Sequence, residues 1–299
     1  AGASGLMAAI AAAEHGAGVI VLEHMPSPGQ KLLLTGRGRC NFTNTDVSVR
    51  HYHSLSAEDK ENSGTREAFL DPLLGRFSAA DCMELFRAYG IDAYVRRYRF
   101  DDTGYVYPAA GGAREVLQAL LDRARFLGVH LRCGIRLHRL TSCGERRWKT
   151  GWYDASAGHT GYEEMTADSV ILATGSNACP STGSDSSLYP FLKELGLAAD
   201  FTGFYPALCA LYSTDPLLSE WKGRRADGTA ELLIEGDGSV RKETGEIQFN
   251  EHSISGIPVM QLSRYVAPAL KRGRRVMLRV LVPASDGTVL LDHAFIVRR

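Results

Sequence analysis

Ala1-Gly2-Ala3-Ser4-Gly5 opens the chain, and Val19-Ile20-Val21-Leu22-Glu23 follows shortly after. Between them, Leu6 to His15 is a run of small and apolar residues that predicts a helix, with Gly16 as its stop. The apolar run ending in Glu23 predicts a buried parallel strand. Glycine loop, helix, strand and closing acid is the order of the G-x-G-x-x-G dinucleotide fingerprint, with Gly2 and Gly5 as its second and third glycines. The first glycine, and the strand that carries it, would precede Ala1. Gly2 lets the backbone approach a pyrophosphate, and Gly5 lets the helix pack closely on the strand. The free N–H groups at the helix start, where Ala3 and Ser4 lie, favour the anion. Glu23, eighteen residues after Gly5, can accept hydrogen bonds from ribose hydroxyls. It would repel a 2′-phosphate, which favours FAD or NAD over NADP. The alternative, a tight turn before an ordinary helix, does not account for the helix, strand and acid together.

The chain has 299 residues, 44% of them hydrophobic, with 34 basic and 34 acidic side chains. That composition fits a globular protein of about two domains. A net charge of zero argues against nucleic acid or an anionic membrane surface as partner. No apolar run approaches the roughly 20 residues of a membrane span. The six cysteines, Cys40, Cys82, Cys133, Cys143, Cys179 and Cys209, form neither C-x-x-C nor a cysteine–histidine cluster. This argues against zinc and a dithiol redox motif and fits a reducing cytoplasm.

Helical periodicity recurs near Glu67–Leu74, in Ala79–Tyr89 with Gly90 behind it, and in Ala113–Leu127 with Gly128 behind it. Ala93–Tyr107 reads as a hairpin turning at Asp102-Thr103-Gly104. Val129–Leu131, Ile135–Leu140, Trp148–Tyr153 and Ser169–Leu172 read as strands, the last running into the turn Ala173-Thr174-Gly175. Tyr189–Leu195 reads as a short helix. Beyond about residue 200 short strands dominate: Ala207–Tyr212, Ala230–Glu235, Glu246–Phe249 and Val276–Val282, with one helix over Ile257–Leu270.

Ligands of open α/β sheets bind beyond the carboxyl ends of the strands, and both Glu23 and Ala173-Thr174-Gly175 are at such ends. Between them in sequence, Lys31-Leu32-Leu33-Leu34-Thr35-Gly36-Arg37-Gly38-Arg39-Cys40-Asn41-Phe42-Thr43-Asn44 supplies backbone N–H groups, acceptors and two arginines suited to a pyrophosphate or a flavin edge.

On these residues the chain resembles the bacterial FAD-dependent oxidoreductases of the aminoacetone-oxidase-like and BaiN-like group. Gly29–Asn44 matches the family's lysine-, glycine- and Arg-Cys-Asn-bearing segment, with Arg37 where a glycine is common. Gly104–Pro108, Ala173–Ser184, and Gly245–Phe249 with Ile254–Pro258 and Gln261–Arg264 match further family segments in order. Ser176, Ser186-Ser187 and Ser253 depart from family glycine positions. The family's closing segment, which packs against the flavin, has no counterpart before Arg299, so the chain is expected to be truncated at both ends.

The resemblance implies an α/β fold, a Rossmann-like FAD domain of three layers over residues 1–195 with an inserted β-rich, barrel-like domain over 196–299. It implies FAD as cofactor, bound at Gly2, Ala3, Ser4, Gly5, Glu23, Lys31, Thr35, Gly36, Arg39, Cys40, Asn41, Ala173, Thr174 and Gly175, with the backbone of Leu137 beside the adenine. The activity implied is oxidation of an amine or aminoketone, or NAD(P)H-dependent alkene reduction, on a small organic substrate. With one glycine loop, NAD(P)H would visit the flavin face transiently. Two other readings stay open: a flavin-binding protein without turnover, and an RNA-modifying flavoprotein.

Cys40 reads as a buried structural thiol, having no partner cysteine nearby. The basic runs Arg96–Arg99 and Lys271–Arg275 read as solvated faces, and His51, His53 and His252 as surface or satisfied histidines. No residue is singled out as a catalytic base, because flavin chemistry often requires none.

Overall fold

A computed structural model of the protein describes residues 1–52, 63–98, 101–144, 147–154, 161–196 and 204–298. Among these, residues 1–52 and 63–196 form one compact unit and residues 204–298 a second. His53 and Arg99 lie outside the described residues.

In the first unit, helix α1 (Ala3–Glu14) leads to strand β1 (Ile20–Glu23), and Gly16 takes the left-handed conformation (φ 85°) between them. Helix α2 (Gln30–Leu34) runs into a tight turn over Thr35–Gly38, and the chain continues through β2 (Thr43–Asn44), α3 (Ser63–Arg76) and α4 (Ala79–Ala88). Ser78 and Asp81 close a reciprocal capping box on α4. Strands β3 (Ala93–Tyr98) and β4 (Asp101–Pro108) join β2 in an antiparallel sheet ordered β2-β4-β3. Helix α5 (Gly112–Phe126) precedes β5 (His130–Cys133), which pairs in parallel with β1: Ile20 opposes His130 and Glu23 opposes Cys133. A second antiparallel sheet holds β6 (Ile135–Ser142), β7 (Trp148–Asp154) and β8 (Tyr162–Ala167), before the short helix α6 (Leu188–Glu194).

The core of this unit is the apolar stripe of α5, with Ala113, Val116, Leu117, Leu120 and Ala124, set against Leu6 and Ile10 of α1. Leu32, Cys40, Phe86 and Ile91 complete it. These contacts fix α1, and with it the glycine loop, against the rest of the unit.

The second unit contains β9 (Leu211–Tyr212), α7 (Leu217–Trp221), β10 (Arg225–Ile234), β11 (Val240–Phe249), β12 (Ser253–Ser255), α8 (Ile257–Ser263), α9 (Val266–Lys271), β13 (Val276–Pro283) and β14 (Val289–Ile296). Its six strands form one sheet in the order β14-β13-β10-β11-β12-β9. An antiparallel bridge between Tyr212 and Arg298 brings the two edges together, so the sheet curls into a barrel-like form. Alternate residues Val276, Leu278, Val280 and Val282 of β13 are fully or almost fully buried, with Leu232, Ile247, Phe249 and Phe295 around them. The fold is therefore α/β, a Rossmann-like unit followed by a β-rich, barrel-like one.

Several expectations are corrected. Ser169–Leu172 forms no ladder with any described strand, and Ile171 is 65% exposed. β-branched residues favour extended backbone, but a strand exists only where a neighbour pairs with it; the third strand of that sheet is β8, built from residues expected to connect strands. β1 is parallel as expected but only half-buried, with Ile20 42% exposed. Asp102–Gly104 lies inside β4, because Tyr98 already pairs with Asp101. Gly104 is needed for space and not for a turn: a Cβ there would stand 2.4 Å from Thr45 Oγ1 and 2.5 Å from Val95 Cγ1. The helix expected over Ile257–Leu270 is two, α8 and α9, divided at Arg264-Tyr265. Of Ala207–Tyr212 only Leu211–Tyr212 is strand.

Candidate dinucleotide site

The first turn of α1 is the centre of the site. Gly2 is its N-cap in extended conformation (φ −85°, ψ −174°), and a Cβ there would meet no protein atom within 4 Å. Neither the backbone conformation nor packing among the described residues requires glycine at this position. Ala3 and Ser4 are exposed in the same turn. Gly5 has a protein reason: its Cβ would stand 3.3 Å from Ala173 Cβ. The turn Ala173-Thr174-Gly175 is thereby packed directly on the amino end of α1, although its predecessor is not a strand.

Glu23 closes β1 beside this loop. One carboxylate oxygen accepts from the backbone nitrogen of Ala1 at 2.5 Å and the other from the Met25 backbone N–H at 2.8 Å. A third segment joins through Lys31, whose Nζ donates to the buried Ser184 hydroxyl. Ser184 Oγ lies 3.0 Å from where a Cβ on Gly175 would be, and Gly175 itself is left-handed (φ 80°). Thr174 Oγ1 is enclosed without a hydrogen-bond partner among the described residues. A buried hydroxyl is normally paired, so this atom, at the meeting of loop and turn, suits a polar ligand group.

The loop after α2 is held tightly. Thr35 Oγ1 donates to Leu32 O at 2.6 Å, and Cys40 N donates to Thr35 O at 3.0 Å. Gly36 is left-handed (φ 55°), and a Cβ on it would come within 3.2 Å of Tyr107 Cε1. Arg39 Nε donates to Gly36 O at 3.0 Å while its guanidinium lies 5.2 Å over the Tyr107 ring. With its amide turned to donate, Asn41 reaches Val106 O at 3.2 Å and Thr43 O at 2.9 Å, tying the loop to β4. Cys40 is buried in the core, and burial pushes its thiol pKa up despite the Thr35 hydrogen bond. It therefore stays a neutral packing group.

Two of the departures from the family pattern fall at left-handed positions: Arg37 at φ 57° and Ser186 at φ 64°. A glycine at either place costs nothing in backbone strain, whereas a side chain there costs about 1–2 kcal/mol. Leu137 is in β6, opposite Trp152 of β7, next to an irregularity in the pairing. Its neighbour Arg136 pairs with Asp185 at 3.2 Å, and His24, after β1, lies 3.9 Å from the same carboxylate. Burial raises the Asp185 pKa, but hydrogen bonds from Ser187 and Arg136 outweigh it and hold the group below the usual carboxylate value. Ser184, Asp185, Arg136 and His24 were not expected as site residues; only the position of Ser184–Asp185 after the Ala-Thr-Gly turn hinted at them.

A glycine-capped helix start, an acid closing the adjacent parallel strand, and a second turn packed on that start together define a dinucleotide-binding protein of the Rossmann type. The family model described as the HI0933-like protein Rossmann domain matches residues 1–261, and the chain belongs to that family. It is 34% identical over 281 residues to the 3-dehydro-bile acid delta(4,6)-reductase of Clostridium scindens, covering 93% of this chain and 62% of that protein. It is 25% identical over 268 residues to the ribosomal RNA dihydrouridine synthase of Escherichia coli, covering 90% of this chain and 60% of that protein. The same enzyme of Haemophilus influenzae is 24% identical over 276 residues. The chain thus spans about three fifths of the length of the curated relatives it matches.

Proposed function

We propose that the chain is the cofactor-binding part of an FAD-dependent oxidoreductase that reduces a carbon–carbon double bond conjugated to a carbonyl in a small organic molecule, with NAD(P)H as transient donor. The observation that carries the reading is the convergence of the Gly2–Gly5 loop, Glu23 and the Ala173–Gly175 turn, with the unpaired Thr174 hydroxyl at their meeting. Membership of a Rossmann family supports FAD over a purely structural role for the loop. The names of the relatives support reduction over amine oxidation, since a delta(4,6)-reductase of a 3-oxo compound and a dihydrouridine synthase both saturate such a bond.

The residues divide the work as follows. The N–H groups of Gly2, Ala3, Ser4 and Gly5 hold the pyrophosphate at the helix start. Glu23 accepts from the adenosine ribose, and the Leu137 backbone flanks the adenine. Thr35, Gly36, Arg39 and Asn41 form the rigid loop at the flavin side, and Cys40 anchors that loop in the core. Lys31 holds Ser184, which supports Gly175. The chemistry a bound flavin would supply is hydride transfer from the nicotinamide to the alkene, the accompanying proton coming from solvent. Residues 1–195 serve as the FAD domain and 196–299 as the β-rich domain. Six free cysteines support a cytoplasmic location; separately, no helix among the described residues is long and apolar enough to cross a membrane.

The test is anaerobic mixing of the flavin-loaded protein with NADPH or NADH, followed by a conjugated enone. Bleaching of the flavin by the nicotinamide and its return on adding enone are expected. Flavin that neither nicotinamide reduces, or that only oxygen reoxidises after an amine has reduced it, overturns the reductase reading.

A further inference from the structure

The segment Gln261-Leu262-Ser263-Arg264 lies in the second unit, and Leu262 and Ser263 are accounted for by packing. Leu262 is buried in the second core, and Ser263, buried too, donates to Met260 O at 2.7 Å and accepts from Cys209 N at 3.2 Å. These contacts fix the end of α8 and so the place of Arg264, which follows it. The Arg264 guanidinium lies 4.8 Å from the centre of the Tyr265 ring, and the Arg241 guanidinium, from β11, lies 4.4 Å from the same ring. Two cations share one aromatic ring.

Their charges are not equally compensated. Arg241 is paired with Asp237 at 2.6 Å. Arg264 forms no ion pair among the described residues, and its Nε is enclosed without an acceptor although the residue keeps partial exposure. Burial pushes the Glu243 pKa up, and the positive charge of Arg264 only partly opposes this. Glu243 and Arg241 share one face of β11, two residues apart. A guanidinium is never deprotonated, and its planar N–H edge matches a carboxylate in bidentate geometry. A partly buried arginine with an unanswered N–H is therefore short of an anion.

We propose that Arg264, held at Tyr265 beside Arg241, is a binding site for the carboxylate of a small organic acid. The site lies within the second unit, and its argument does not depend on the flavin.

The probe is cholate, below its micelle concentration, against its neutral amide, cholamide, titrated calorimetrically into the purified protein. Charge-assisted hydrogen bonds of this kind predict that cholate binds at least about tenfold more tightly than cholamide. Arg264→Gln is expected to bring the two within about twofold of each other, the preference resting on those charge-assisted bonds. Glu243→Gln, which removes the competing carboxylate, is expected to tighten cholate binding and leave cholamide unchanged. Trp221 fluorescence reports whether each variant folds, because this residue packs on Phe249 in the same core. If Arg264→Gln does not fold, Glu243→Gln decides: unchanged cholate affinity then overturns the proposal. Equal binding of acid and amide to the unsubstituted protein, no binding of either, or a preference that survives Arg264→Gln also overturns it. FAD uptake by the same samples tests the flavin reading separately.

Discussion

Substituting Gly5 separates the packing role of the loop from its ligand role. A Cβ at this position would stand 3.3 Å from Ala173 Cβ, inside the optimum of about 3.5–4.0 Å for two carbons. Alanine therefore requires the Ala173–Gly175 turn to give by a few tenths of an ångström. Against this, replacing glycine by alanine within a helix recovers about 0.5–1 kcal/mol. The two effects nearly offset, so Gly5→Ala is expected to change stability little. Leucine carries its branched carbons further along the same line into the turn. Overpacking of this kind costs about 1–3 kcal/mol, and it is relieved by driving Ala173-Thr174-Gly175 away from α1. The Gly5→Leu protein should lose FAD affinity by more than tenfold, about 1.4 kcal/mol or more. The second unit should still unfold cooperatively, as read by Trp221, which packs 5.0 Å from Phe249. FAD affinity is measured by quenching of flavin fluorescence. Wild-type affinity in Gly5→Leu would refute the placement of this glycine at the fingerprint.

Glu23→Ala should weaken FAD by about 1–3 kcal/mol, the scale of hydrogen bonds to a charged group, while FMN, which lacks the adenosine ribose, should bind both forms equally; calorimetric titration of both flavins checks this. Thr174→Val removes the enclosed hydroxyl that has no partner; it should raise stability without flavin by about 1 kcal/mol and lower FAD affinity by about as much, seen by paired urea melts and titrations. Asp46 is held down to about 2 by hydrogen bonds from His51 and Arg50. Because its folded pKa is depressed, its contribution to stability is present above the ordinary carboxylate pKa and fades as pH falls toward about 2. Carboxyl NMR should give that midpoint, and His51→Ala should move it upward.

What the sequence disclosed was local. The helix–strand order through Glu23 and the amphipathic stripe of α5 follow from residue spacing, and both are where the spacing puts them. The family segments directed attention to Lys31–Asn44, where the left-handed conformations of Gly36 and Gly38 explain the glycines of that stretch. Features requiring a distant partner were not legible. Lys31 and Ser184 meet across 153 residues, and no spacing rule links them. Val170-Ile171-Leu172 has strand composition but no described neighbour to pair with, and Gly104 looked like a turn because its crowding by Thr45 is tertiary. β14 is not legible because it opens on three successive apolar residues, Val289-Leu290-Leu291, with no alternation to mark a buried face.

The most direct test of the account is to denature the purified protein and identify what it releases. The convergence of Gly2–Gly5, Glu23 and Ala173–Gly175 predicts a yellow protein that gives up FAD, non-covalently held, as its chromophore. A colourless protein that takes up no FAD on reconstitution would contradict it.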